Sequence, residues 1–301
     1  MLGILLKFSS VSLFGIMSAL AKYIGGAIPV GEIVAVRSGI GIVAIGLIVW
    51  RTQNLQLLRT ANWRSHVLRS SMGTLAMATW FVSLNLAPIA DATAMVYAGP
   101  LFATLLAAPL LREHITLPRW LAVALGFGGV LIMTGSHLAH ADALSAGLLF
   151  ALLCALFSAL STTFLRQMSR TEHALTTTFY FSLTSTVGAA ATGAWGWPMP
   201  NTTQWIFLVL IGLLGTSAQF LMSAAFRYAE ASVIAPIEYT GIVTATFLGY
   251  VAFGEIPAVS IWVGVPLVVV AGLLIVWSEY PPAPIEGHRP RISRTRRPSV
   301  P

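Results

Sequence analysis

The chain has 301 residues, of which 56% are hydrophobic and 9% charged, with a net charge of +7 and a mean hydropathy of +0.82. A soluble domain carries about 25% charged residues, so too few polar groups are present to coat a water-facing surface, and a soluble globular protein is excluded. The single cysteine, Cys154, excludes an intrachain disulfide framework and a cysteine-based metal site.

The chain opens on Lys7 and an apolar stretch to Ala21. Apolar segments follow throughout, so this stretch is read as a first transmembrane helix that stays in place rather than a cleaved leader. A span needs roughly 20 mostly apolar residues. Cutting at charges, prolines, glycines and asparagines predicts ten of them, over 3–23, 31–50, 67–87, 90–111, 119–137, 144–165, 174–194, 203–226, 231–253 and 258–279. Transmembrane strands would show short alternating segments instead. The expected fold class is an all-α membrane protein of ten transmembrane helices.

Lysine and arginine set the expected orientation. With the N-terminus in the cytoplasm, the inner segments hold Arg51, Arg59, Arg64, Arg69, Arg112, Arg119, Arg166, Arg170, Arg227 and the five arginines of the tail, 14 of the 17 basic residues. The outer segments hold Lys22 with Asp91, Asp142 and Glu255. Both termini are then cytoplasmic. Residues 280–301 are polar and basic, which predicts a disordered cytoplasmic tail resting near anionic lipid.

The halves resemble each other. "AMVYAGPLFATLLAAPLLREHITLPRW" (94–120) aligns without gaps on "PIEYTGIVTATFLGYVAFGEIPAVSIW" (236–262). Tyr97 matches Tyr239, Ala103-Thr104 match Ala245-Thr246, Leu106 matches Leu248, Glu113 matches Glu255, and Trp120 matches Trp262. Five spans separate the copies, so the second is inserted upside down. Inverted repeats are the architecture of many secondary transporters, with the substrate site near the midplane. The expected organisation is a first five-helix repeat over 1–137, a second over 144–279, and the tail.

These residues, with Lys22, Pro29 and Arg37, resemble the EamA family of the drug/metabolite transporter superfamily. The resemblance covers the chain before the tail. It implies ten helices around a central cavity, with the fifth and tenth supporting the assembly. One departure is visible: the family's Gly-Glu after helix 4 is Arg112-Glu113 here, whereas Gly254-Glu255 keeps it.

Two charges stand inside apolar spans. Counted along the helix, Glu238 lies roughly 10 Å deep from the inner side and Arg37 roughly 9 Å deep from the outer side. Each costs ~3 kcal/mol or more unless it faces protein or a wet cavity. In a ~30 Å core, roughly 10 Å then separates them along the membrane normal. That spacing suits a zwitterion, its carboxylate at Arg37 and its amine at Glu238. The alternatives are that Arg37 pairs with Glu32 and that Glu238 is a packing acid. Glu238 is also the proton-coupling candidate. Gly99, Pro100, Pro236 and Gly241 are candidate hinges, because proline removes a helical hydrogen bond. Tyr97, Tyr239, Trp80 and Gln219 are further candidate binding residues, with Asn85 and Tyr180 weaker. Trp195 and Trp197 suit an interfacial belt. The glycines of "GFGGVLIM" suit close helix packing rather than a phosphate loop.

The expected function is secondary transport of a small polar metabolite across the inner membrane by alternating access. Export of an amino acid or amino-acid-derived compound, metallophores included, is favoured. Uptake of a riboflavin- or S-adenosylmethionine-type metabolite is the alternative, and an intramembrane enzyme on a lipid-linked substrate is the rival from another class. No catalytic residue, cofactor, metal site or nucleic-acid partner is expected; a small-molecule substrate and the lipid bilayer are, and a homodimer is an open possibility. No nucleotide-binding motif occurs, so ATP-driven transport by this chain alone is not expected.

Overall fold

The apolar segments fold as helices, and no strand occurs among the described residues. The structure, a computed structural model, describes residues 1–54, 58–60, 62–111, 117–138, 143–169, 171–229, 233 and 237–278. Pro236, Arg112, Glu113 and the expected tail lie outside them. The helices are α1 (Leu2–Gly25), α2 (Val30–Thr52), α3 (Trp63–Leu86), α4 (Ile89–Val96), α5 (Gly99–Leu111), α6 (Leu117–Leu138), α7 (Ala143–Met168) and α8 (Ala174–Ala190). A 3-10 turn (Ala191–Trp195) follows, then α9 (Thr202–Tyr228), α10 (Gly241–Phe253) and α11 (Val259–Ser278).

By length and composition, α1, α2, α7, α9 and the segment Ile89–Leu106 can each cross a membrane. α6, α10 and α11 contribute shorter apolar stretches. α3 is the polar helix, with Arg69, Ser70, Thr74, Thr79 and Ser83 inside it. Its polar residues are housed by protein: α3 packs chiefly against α7 and α8, and Ser70, Ser83 and Arg69 are buried. Thr74 and Thr79 donate to carbonyls four residues back, which satisfies hydroxyls where water is absent.

The contacts are reciprocal between the halves. α1 packs on α9 and α7 on α3; α2 faces α8, and α6 faces α11. The last pair meets through glycines. A methyl added at Gly129 would sit 2.8 Å from the Gly264 carbonyl oxygen, so the two backbones touch there, as the close-packing expectation for "GFGGVLIM" required.

Two expected spans are not continuous helices. The segment 90–111 breaks at Tyr97–Ala98, between α4 and α5. Pro100 cannot donate to the carbonyl of Val96, but it fits the first turn of a new helix. In the second half, Tyr239 and Thr240 form a turn before α10, and the Thr240 hydroxyl donates to the Ile237 carbonyl at 2.7 Å. The breaks fall on residues matched by the 142-residue offset.

Candidate functional site

A cavity of about 710 Å³ opens among α1, α2, α3, α5, α7, α9 and the turn before α10. That volume lies within the usual range for small-molecule sites. Each helix presents one face to it. On α1, Lys7, Ser10, Phe14 and Ser18 recur at intervals of three or four, the spacing of one helical face. On α3, Arg69, Gly73, Met77 and Trp80 do the same.

The sequence-predicted residues converge there unevenly. Arg37, Glu238, Tyr97, Trp80, Gln219, Gly99, Pro100 and Gly241 line the cavity. Tyr239 is not among its lining residues; its ring packs edge-on against Tyr97 with centroids 5.1 Å apart. The Tyr97 hydroxyl donates to the Tyr239 carbonyl at 3.2 Å. The two tyrosines thus join the two helix breaks rather than facing each other across open space. Asn85 donates to the Gly25 carbonyl and Tyr180 to the Leu58 carbonyl, both away from the cavity. Trp195 is 82% exposed, whereas Trp197 packs against the core near Gly193.

Arg37 is buried, and no carboxylate pairs with it among the described residues, Glu32 included. Its guanidinium donates to the Gly215 carbonyl at 3.2 Å and to the sulfurs of Met77 and Met17 at 2.7 and 3.4 Å. A methyl on residue 215 would overlap Arg37 Nε, so glycine there makes room for the guanidinium. Arg37 therefore keeps its charge beside the cavity and does not reach back along α2 to Glu32.

Glu238 does have a partner. Lys7 Nζ donates to Glu238 Oε1 at 2.5 Å, with the lysine side chain 3% exposed and the glutamate 42%. Lys7 also lies over the Phe226 ring. Half of the glutamate remains open toward the cavity while a buried lysine holds one oxygen. Lys7, read from sequence only as the charge that opens the first apolar stretch, thus lines the cavity.

A second lysine of α1 forms a cluster at the other end of the helix. Lys22 Nζ lies 2.7 Å from Glu255 Oε1 and donates to the Ala87 carbonyl at 2.6 Å. Glu255 Oε2 accepts the Ile89 N–H at 2.9 Å. The Gly-Glu motif explains the geometry. Gly254 ends α10 in the left-handed region, at φ +65° and ψ 20°. Its N–H bonds the Tyr250 carbonyl and the Glu255 N–H bonds the Gly249 carbonyl, the helix-ending pattern that reverses the chain. The Glu255 carboxylate is thereby aimed across α1 at the α3–α4 turn. Of these residues only Ile89 lines the cavity, whereas Lys22, Ala87 and Glu255 do not; the cavity also reaches Lys7, Arg119 and Arg166.

Near that end of the cavity, the α7–α8 connection is tied to α3 and to the segment before it. Thr60 donates to Glu172 Oε1 at 2.7 Å, and His66 Nε2 lies 3.6 Å from Glu172 Oε2. His173 caps α8 through Nδ1, which accepts the Leu175 N–H at 3.2 Å. Burial pushes this imidazole below its usual range, helped by Arg227, which suits the neutral, accepting form.

Helices long and apolar enough to cross a bilayer, around a cavity lined by charged side chains, suit a membrane transporter. Residues 1–135 and 145–277 each match the EamA-like transporter family. The chain belongs to this family, within the drug/metabolite transporter superfamily, and is a multi-pass protein of the inner membrane. It is similar to the S-adenosylmethionine uptake transporter of Rickettsia bellii, 28% identical over 91% of this chain and 92% of that protein. It is also similar to the pseudopaline exporter CntI of Pseudomonas aeruginosa strain UCBPP-PA14, 30% identical over 89% of this chain and 94% of that protein. A crystal structure of a protein 22% identical in sequence superposes with a TM-score of 0.63, over 90% of this chain and 95% of that one; it shows the fold alone.

Proposed function

We propose that this chain is a ten-helix secondary transporter, built as two inverted repeats (1–137 and 144–279) with both termini cytoplasmic, that exports an amino acid or amino-acid-derived compound, metallophores included. The observation that carries the reading is the placement of Arg37 and Glu238 on one cavity from opposite halves of the chain. A cargo carboxylate binds at Arg37 and its amine at the open side of Glu238. The reciprocal packing of α1 on α9 and α7 on α3 supports the two-repeat organisation, and the similarity to a pseudopaline exporter supports export. The helix breaks beside Gly99, Pro100 and Gly241 are where the halves hinge. Pro236 belongs to the same proposed hinge.

In this reading the structure is open toward the cytoplasm, because the cavity reaches the end bearing Lys7, Arg119 and Arg166, and the Lys22–Glu255 cluster closes the other end. Proton binding at Glu238 in place of the cargo amine would reset the carrier.

Uptake of a cofactor-like metabolite is the second reading. It is favoured by the similarity to an S-adenosylmethionine uptake transporter and by Trp80 and Tyr97 on the cavity wall. The enzyme reading is not taken further: the relatives are transporters, and Glu238 has no second carboxylate or histidine beside it among the described lining residues.

The test compares metabolites in cells and medium with the gene, without it, and with Glu238→Gln. An exporter's cargo accumulates inside the deletion strain and disappears from its medium; the reverse pattern marks an importer. Full rescue by the Gln copy would reduce Glu238 to a packing residue and remove the site assignment.

A further inference from the structure

The charges around the cavity do not balance. With Arg119 set aside, which has an interaction of its own, the cavity's described lining holds the cations Lys7, Arg37, Arg69 and Arg166 against one acid, Glu238. Glu238 is matched by Lys7. Arg37 and Arg69 are 4% and 1% exposed, and neither has a carboxylate partner among the described residues.

Arg69 is the sharper case. Its Nε and Nη1 are buried without hydrogen-bond partners among the described residues, and it lies over the face of Phe181, 4.6 Å from the ring centroid. Arg37 lies over the same ring at 5.9 Å. One phenylalanine ring thus lies near both buried guanidiniums. Beside them, Gln219 Nε2 is a third buried donor without a partner. Burying an unpaired charge is expensive, and buried charges in proteins are paired or bind ions. Two such groups on one cavity, neither paired with a carboxylate among the described residues and Arg69 with donors unfilled, form a pole suited to acidic groups. Guanidinium suits carboxylate through two parallel hydrogen bonds.

We infer that the cargo is a polyacidic molecule, carrying at least two carboxylate-type groups that bind Arg37 and Arg69 and a net negative charge at neutral pH. This rests on the transport reading above and narrows it: a simple zwitterion would fill one guanidinium and leave the other bare. Arg166, exposed at the wide end and lying over Phe226 at 5.8 Å, draws the anion in from bulk solvent.

The experiment separates the metabolites that differ between strains with and without the gene by charge at pH 7, using anion exchange with mass detection. The expected compound is retained as an anion and contains two or more acidic groups. A neutral or cationic compound overturns this inference and leaves the transporter reading standing. No differing compound overturns the transporter reading itself, and this inference with it. The isolated compound is then tested on variants whose membrane levels match the parent. Arg69→Gln lowers its flux tenfold or more, Arg69→Lys retains more flux than Arg69→Gln, and Arg166→Gln, exposed and harmless to folding, raises the half-saturating concentration several-fold. Parental flux in Arg69→Gln, or an unchanged half-saturating concentration in Arg166→Gln, also overturns the inference.

Discussion

The two ends of α1 hold chemically identical pairs in different settings. Lys7 meets Glu238, and Lys22 meets Glu255, 15 and 17 residues further along. At the first end the glutamate is 42% exposed and borders the cavity, with the lysine its one ionic partner. At the second end both side chains are about equally exposed, at 15% and 16%, and each makes a further bond to backbone at the α3–α4 turn. An acid left half open is available to cargo or proton. An acid tied to a lysine and a backbone N–H is a fastener. In the transport reading proposed above, the same residue types serve binding at one end and closure at the other because of what else reaches them.

The comparison breaks most sharply at Glu238. Glu238→Gln is expected to lower flux tenfold or more, about 1.4 kcal/mol or more of lost interaction, and also to lower the thermal midpoint of the purified protein, since the buried Lys7 loses its anion. A large midpoint loss without a flux defect would make this end structural and erase the contrast. Gly215→Ala comes next. Its methyl displaces Arg37 from the Gly215 carbonyl, so flux should fall several-fold, with a weaker apparent affinity measured by counterflow in proteoliposomes.

Much of the fold was legible in advance because hydrophobic runs and helical spacing are local properties. Arg37, Glu238, Trp80 and Gln219 could be found because each interrupts an apolar run or sits within one. Arg69 and Arg166 were missed as cavity residues because basic residues near helix ends were counted as orientation signals, and Lys7 because it was read only as the charge that opens the first apolar stretch. The positive-inside pattern and a cationic cavity draw on the same arginines, and charge alone does not separate them. A separating signal did exist for Arg69, which shares a helical face with Gly73, Met77 and Trp80. The pairing of Tyr97 with Tyr239 was hidden for another reason. The repeat shows that two residues are equivalent, whereas only the packed halves show that they touch. Lys22 and Glu255 were both assigned to the outer side, but their bond depends on the turn that Gly254 makes.

The fastener can be sharpened next. Glu255→Gln leaves Lys22 without its anion and weakens the bond to the Ile89 N–H. The expected cost is about 1–3 kcal/mol, the range for disturbing a buried charged hydrogen bond, read as a midpoint lower by several degrees. Cysteines placed near Lys22 in Cys154-replaced protein should label faster in Glu255→Gln, because the closed end opens more often. A double-mutant cycle with Lys22→Met isolates the pair; additive losses would show that the two residues act separately.

The smallest effect tests the backbone alone. Gly254→Ala removes no charge and no hydrogen-bonding group, yet residue 254 must hold φ +65°, where an L side chain costs roughly 1 kcal/mol. The chain can accept that strain or relax it. If it accepts the strain, the midpoint falls by a few degrees and labelling near Lys22 stays at the parental rate. If it relaxes, the turn opens, Glu255 swings off Lys22, and labelling rises toward the Glu255→Gln value. The backbone bonds of Gly254 to Tyr250 and of Glu255 to Gly249 hold the turn, and the carboxylate is anchored at two further points. Strain at one residue is smaller than the loss of those contacts, so the expected result is a lower midpoint with the closed end intact. Labelling at the Glu255→Gln level would instead show that Gly254 governs the fastener, and that its strength lies in the turn rather than in the charges.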